Sequence, residues 1–205
     1  PIPSRGLGDV YKRQGSFKAW SLLTALSDLS SSDKKNIEQY QNIIEGPNWL
    51  DKRNEDRLYK NREPEVIVVG SGQAGLSIAA RLKQQNIDTL IVDKNERIGD
   101  NWRNRYHSLK LHNQTHVNHL PYMPFPSTWP TYIPKDKLAG WFEYYVESME
   151  LNAWTNTKFI GAEYYENKKH WKVKLKLSDG TIKIMKPKHI VCLLYTSDAA
   201  DDVEC

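Results

Sequence analysis

Cysteine is almost missing from the chain: two residues in 205, Cys192 and Cys205, both close to the carboxyl end. A disulfide framework, a CxxC redox pair and a cysteine nucleophile are thereby excluded from the body of the protein. No apolar run approaches the roughly 18 residues that a membrane helix requires, so no membrane span is expected. Charge of one sign is not abundant either, with 29 basic residues against 25 acidic ones. The lysines alternate along strand-like stretches instead of forming a block, which does not imply a nucleic-acid partner. A serine-histidine-acid pattern is lacking too, so hydrolysis by a triad is not indicated.

What is present is concentrated between Glu65 and Asp93, EVIVVGSGQAGLSIAARLKQQNIDTLIVD. Glu65 to Val69 is a β-branched run that ends in Gly70-Ser71-Gly72-Gln73-Ala74-Gly75, after which Leu76, Ile78, Ala79, Ala80 and Leu82 supply one apolar side of a helix. A second apolar run, Thr89 to Val92, leads to Asp93, 18 residues past Gly75. Strand, glycine turn, helix, strand and acid in this order form the dinucleotide-binding pattern. Gly70 permits the tight turn, Gly72 lets backbone approach a pyrophosphate, and Gly75 lets the helix lie close on the sheet. The free amides and positive dipole end of the helix then face the phosphates, and Asp93 is placed to accept from a ribose hydroxyl.

Both ends of the chain have a second explanation. Asp9 to Gln14 can be written as the codons GAT GTG TAT AAG AGA CAG, and the reverse complement, shifted by one base, spells Cys-Leu-Leu-Tyr-Thr-Ser, which is Cys192 to Ser197. The two ends therefore resemble opposite strands of one transposon-end sequencing adapter. The expectation is that residues 1–14 and 192–205 are adapter-derived scars and that the natural stretch runs from Gly15 to Val191, cut at both ends. Removing Arg5, Lys12, Arg13 and Asp9 at one end and Asp198, Asp201, Asp202 and Glu204 at the other leaves 26 basic and 20 acidic residues.

Upstream of the glycine turn, Phe17, Trp20, Leu23, Leu26 and Leu29 recur at helical spacing, and a polar break follows at Ser30 to Asp33. Gly46 to Pro64 carries nine charged residues, with Trp49 and Leu50 as its bulky anchors, and is expected to be a connector. Downstream, Pro134 to Met149 is expected to be a helix with Leu138, Trp141, Phe142, Tyr145, Val146 and Met149 on one face. Strands are expected at Lys158 to Tyr164, Trp171 to Leu177 and Thr181 to Ile184, with Asp179-Gly180 as a two-residue hairpin turn. A final buried strand is expected at His189 to Val191. His107, His112, His116 and His119 invite a metal reading, but they run into the loop at Leu120-Pro121 without an acid partner, and no metal site is expected.

Beyond Asp93 the motifs become more particular. The glycine turn, Asp93-Lys94, Gly99-Asp100-Asn101-Trp102-Arg103, Leu109-Lys110-Leu111-His112, His119 to Pro126, Trp129-Pro130 and Pro134 to Lys137 together resemble the amino-terminal FAD-binding part of flavin-containing monooxygenases. Fungal and bacterial members are the nearer likeness, the plant indole-pyruvate branch the more distant. The resemblance covers roughly Pro64 to Val191. It implies an α/β fold: a Rossmann-like FAD-binding domain, incomplete over 65–191, with a small antiparallel meander, preceded by a helical or irregular connector over 15–64.

The resemblance also implies roles. Gly70, Ser71, Gly72, Gln73, Ala74 and Gly75 would cradle the FAD pyrophosphate, Asp93 would accept from the adenosine ribose where the family more often has glutamate, and Lys94 and Gly99 would line the same site. Trp102 and Arg103 would lie near the flavin end, with Leu111 and His112 beneath it. The plainer alternative for Trp102 is an aromatic capping the sheet. The family reaction uses NADPH to reduce FAD and O2 to oxygenate a small organic substrate, so no side chain here is expected to be catalytic. The NADPH turn would lie beyond Val191, so the chain is expected to be a piece of a monooxygenase that does not turn over alone, with the cytoplasm as the expected compartment. Two alternatives stay open, an NAD-dependent or other FAD-dependent oxidoreductase and a non-functional chimera.

Overall fold

The computed structural model describes residues 10–13, 16–19 and 46–193. The chain divides into two compact units, Pro1–Gln39 and Tyr40–Cys205. In the first, β1 (Val10–Arg13) pairs antiparallel with β2 (Ser16–Ala19), Val10 opposite Ala19 and Arg13 opposite Ser16. Phe17 to Ala19, expected to open an amphipathic helix, are therefore strand. Ser-Phe-Lys-Ala alternates polar and apolar as well as it fits a helical period, and a paired neighbour satisfies its backbone. The rest of the apolar stripe, Trp20 to Leu29, and the break at Ser30 to Asp33 lie outside the described residues.

The second unit begins with α1 (Trp49–Leu58), inside the stretch expected to be a helical or irregular connector. Asn48 caps it, its side chain accepting from the Asp51 amide at 2.9 Å, and Tyr59 ends it in the left-handed region. The charges of this stretch serve as docking groups. Arg53, only 6% exposed, donates to Asn152 Oδ1 at 2.8 Å and to the Leu151 carbonyl at 3.1 Å, and Arg57 pairs with Glu147. Trp49 and Leu50, the expected anchors, are half exposed, while Tyr59 is the buried aromatic of this segment and donates to Asp88.

Next come β3 (Val66–Val69), α2 (Gln73–Gln84), β4 (Thr89–Val92), the single-turn α3 (Asp100–Arg103), α4 (Lys135–Ser148) and β5 (Asn152–Trp154). The meander follows as β6 (Lys158–Tyr165), β7 (His170–Lys176) and β8 (Ile182–Met185), and β9 (His189–Cys192) closes the series. β5, β4, β3 and β9 form one parallel sheet in that order, and β6, β7 and β8 a separate antiparallel one. The fold is α/β with a Rossmann-like sheet and a small meander.

Apolar runs without alternation, VIVV and TLIV, suit β3 and β4 because both faces of these strands are covered. On one face Val66, Val68 and Ile91 pack with Leu76, Ala79 and Ala80 of α2 and Leu138, Phe142 and Tyr145 of α4. On the other, Ile67, Val69, Leu90 and Val92 meet Val173 and Leu175 of β7 and Met185 of β8. The alternating lysines Lys174 and Lys176 point to solvent, as period two requires.

Three expectations change. β5 has no period-two pattern in Asn-Ala-Trp and was not expected; it forms because β4 offers a free edge. β9 is an outer strand of the sheet, with Ile190 and Val191 partly buried against the two core clusters and His189 and Cys192 exposed, so it is buried only in part, and it runs through Cys192. The hairpin loop holds three residues, Ser178 to Gly180, since Leu177 and Thr181 are still joined by a backbone bond of 2.9 Å. Gly180 at φ 85° supplies the left-handed residue of such a loop, and the Asp179 side chain accepts from the Thr181 amide.

Candidate dinucleotide site

At the carboxyl end of β3 the chain turns through Gly70, whose φ of 106° favours glycine, and enters α2 at Gly72. Strand order reverses here, with β4 on one side of β3 and β9 on the other, the place where open α/β sheets take ligands. Gly72 gives α2 no side-chain cap, and the first helical bond runs from the Leu76 amide to the Gly72 carbonyl. The amides before Leu76 thus open toward the crevice with the positive end of the helix dipole behind them. Gln73 and Ala74 are exposed there.

Two close approaches shape the turn. A Cβ on Gly75 would lie 2.0 Å from the Gly70 carbonyl oxygen, so helix and strand meet only over glycine. Ser71 and Asp93, 2% and 8% exposed, meet side by side: the Ser71 amide and hydroxyl both donate to Asp93 Oδ2, at 2.7 and 2.6 Å. The Asn95 amide donates to Asp93 Oδ1 at 2.9 Å. Backbone bonds from Asp93 to Trp154 and from Thr157 to Asp93 fix the acid on the edge of β5. Sequence spacing placed Asp93 at the site but not in this bond, whose only signal was a hydroxyl between two glycines.

A second wall comes from α3. Gly99 has φ 88°, and a Cβ there would lie 2.6 Å from the Ala139 carbonyl oxygen, so α3 sits tightly on α4. Burial works to raise the Asp100 carboxyl, but the Arg103 guanidinium, the Arg97 amide and both arginine charges outweigh it and hold the group below its ordinary range. Arg103 also pairs with Glu143 at 2.8 Å, so its role here is to join α3 to α4. Lys135, buried, donates to the Arg103 carbonyl at 2.8 Å and closes the end of that turn.

α3 carries two side chains to the glycine turn. Trp102 Nε1 donates to Gln73 Oε1 at 3.2 Å, with Arg105 over its ring. Asn101 Nδ2 would lie 3.4 Å from a Cβ on Gly72, and Asn101 Oδ1 is buried without a hydrogen-bond partner. Asn101 was not among the expected site residues, although the Gly99-Asp100-Asn101-Trp102-Arg103 motif contains it. An uncapped helix start, a glycine ledge and an orphaned amide oxygen fit a dinucleotide.

The other expected residues are more distant in role. Leu111 packs on the core cluster and bonds through its amide to the Ile133 carbonyl, while His112 and Lys94 are exposed. His119 Nδ1 accepts from the Phe125 amide at 2.9 Å, which places the ring proton on Nε2 and gives this histidine a loop-holding task. Among the described residues no group of three or more His, Cys, Asp or Glu is arranged to hold a metal, and no helix is long and apolar enough to cross a membrane. Two open surface cavities, of about 590 and 430 Å³, lie at the start of β3 and β9 around Glu65, Lys188 and His189, away from the glycine turn. The site itself is a ledge on the opposite edge of the sheet, and its geometry outweighs cavity size in locating it.

Residues 68–126 match the NAD(P)-binding Rossmann-like domain family. An uncharacterized CzcO-like oxidoreductase of Geobacillus kaustophilus is 42% identical over 102 residues, 48% of this chain and 28% of that protein. A probable indole-3-pyruvate monooxygenase of Arabidopsis thaliana, YUCCA3, is 32% identical over 149 residues, 70% of this chain and 33% of its own length. The chain thus spans about a third of the curated relatives it matches. A flavin-containing monooxygenase from Stenotrophomonas maltophilia shares the fold with a TM-score of 0.55 at 19% identity, over 63% of this chain and 37% of that one. The likeness to flavin-containing monooxygenases that the motifs suggested is borne out by these relatives.

Proposed function

We propose that residues 65–191 form the FAD-holding part of an FAD- and NADPH-dependent monooxygenase that places one oxygen atom of O2 into a small organic substrate. The observation that carries this reading is the uncapped start of α2 at the carboxyl edge of the sheet, beside the strand-order reversal and ringed by Ser71, Asp93, Asn101 and Trp102. The amides at Gly72, Gln73 and Ala74 would bind the pyrophosphate, Asp93 would face the adenosine end, and the Asn101 amide would meet a polar atom of the cofactor. Trp102, tied to Gln73, would shield that edge from water. When bound, FAD supplies the redox chemistry that activates O2.

The same reading treats residues 1–14 and 192–205 as adapter-derived and 15–64 as a connector, α1 being its docked portion. The second glycine turn that NADPH would need is not among the 205 residues, so this chain is proposed to bind FAD without turning over. Purified chain titrated with FAD should gain flavin absorbance and a higher melting temperature, and should consume no oxygen with NADPH. A rise with NAD and none with FAD would favour a dehydrogenase, and no rise with either would favour a non-functional chimera. Oxygen uptake with NADPH would remove the claim of inactivity.

A further inference from the structure

The Ser71–Asp93 bond changes what the acid at the end of β4 does. A carboxylate gripping a ribose diol offers one lone pair on each oxygen to the two adjacent hydroxyls. Each carboxylate oxygen has about two lone-pair sites. Asp93 Oδ2 already receives two donors, the Ser71 amide and the Ser71 hydroxyl, and Oδ1 receives the Asn95 amide. All three bonds are charge-assisted, two of them are buried, and breaking either Ser71 bond would leave a donor without its acceptor.

We infer that Asp93 is a positioning residue that clamps the glycine turn through Ser71 and, with only one lone pair of Oδ1 left open, does not grip both ribose hydroxyls, so that the adenosine site discriminates weakly between a ribose and a 2′-deoxyribose. This rests on the FAD-holding reading above. Ser71 stands between Gly70, at φ 106°, and Gly72, the residue that caps the start of α2. Two glycines leave the turn conformationally loose, and the carboxylate restrains the residue between them from a strand that is itself fixed to β3 and β5. The amides that meet the phosphates are thereby held in place before the ligand arrives, which lowers the ordering cost of binding. An aspartate suits this task better than a glutamate, whose extra methylene would carry the carboxylate beyond Ser71 toward the sugar.

The test compares FAD with its 2′-deoxyadenosine analogue by calorimetric titration of the full chain, wild type and Ser71→Ala. In the wild type the two ligands should bind within about threefold of each other, below the roughly tenfold that one hydrogen bond to a charged group is worth. Ser71→Ala should weaken FAD and, by freeing one lone pair on Oδ2, raise the preference for the ribose to about tenfold. A preference that does not rise in Ser71→Ala overturns the inference, since an acid already gripping the sugar has nothing to gain. If the wild type binds neither ligand, the monooxygenase reading fails and the clamp is decided by amide exchange. Ser71 exchange at least about tenfold faster in Asp93→Asn, with Val66 to Val69 unchanged, supports it; equal exchange overturns it.

Discussion

Gly75 faces the carbonyl oxygen of Gly70 so closely that a Cβ at position 75 would stand 2.0 Å from it. Backbone cannot yield as a flexible side chain does, so α2 would have to lift from β3. Gly75→Ala is expected to cost at least the roughly 1–3 kcal/mol of overpacking and to abolish the FAD-dependent melting shift. Gly140, inside α4 with open space around it, is the control: Gly140→Ala should stabilise by about 0.5–1 kcal/mol. Thermal melts of the two variants check both signs.

Arg53 is the buried hinge pin of α1, and truncation would leave the Leu151 carbonyl and Asn152 Oδ1 short of a donor. Arg53→Ala should lower stability in urea by about 1–3 kcal/mol and speed amide exchange across Trp49 to Leu58 without altering the glycine turn.

How much of this was legible follows from which residues decide each element. β3 and β4 announce themselves because a strand covered on both faces reads as an unbroken apolar run, and α4 because one stripe of Leu138, Phe142 and Tyr145 meets the core. The glycine turn was legible because its geometry admits almost no other residue. The docking of α1 was not, since its attachment runs through an arginine and an asparagine about a hundred positions apart, where composition shows only charge. The Ser71–Asp93 bond was hidden for the same reason: it exists only once β3 and β4 end side by side.

Asp100 steadies Arg103, the residue that joins α3 to α4, and its carboxyl is held below the ordinary range against the pull of burial by Arg103 and Arg97. A depressed folded value means the stabilisation is present above the unfolded value, about 3.9, and is lost as pH falls through the folded one. Acid titration followed by amide exchange at Asn101 to Asn104 should show local opening below about pH 4, and Asp100→Asn should remove that pH dependence.

Tyr145 is fully buried and donates its hydroxyl to the Pro121 carbonyl at 2.9 Å. Burial pushes this phenol above the usual tyrosine range, the nearby Tyr122 adding to the shift and Arg81 opposing it. Its contribution is therefore complete below the unfolded value of about 10 and is lost as pH rises beyond it. Ultraviolet titration should find tyrosines that ionise only on unfolding, Tyr145 and the likewise buried Tyr59, whose phenol burial also raises, among them. Tyr145→Phe should remove one tyrosine from that step and cost about 1 kcal/mol at neutral pH.

β9 reaches β3 from far along the chain, and Lys188 pairs with Glu65 across 123 positions. Closing so long a loop carries an entropic penalty that no local contact repays. The meander and both major helices have short-range partners and can assemble early, whereas the fourth strand must wait for its seat beside β3. Refolding should accordingly show a slow final phase set by chain topology, visible as delayed protection of the Leu193 and Lys188 amides, which bond to Val69 and Glu65.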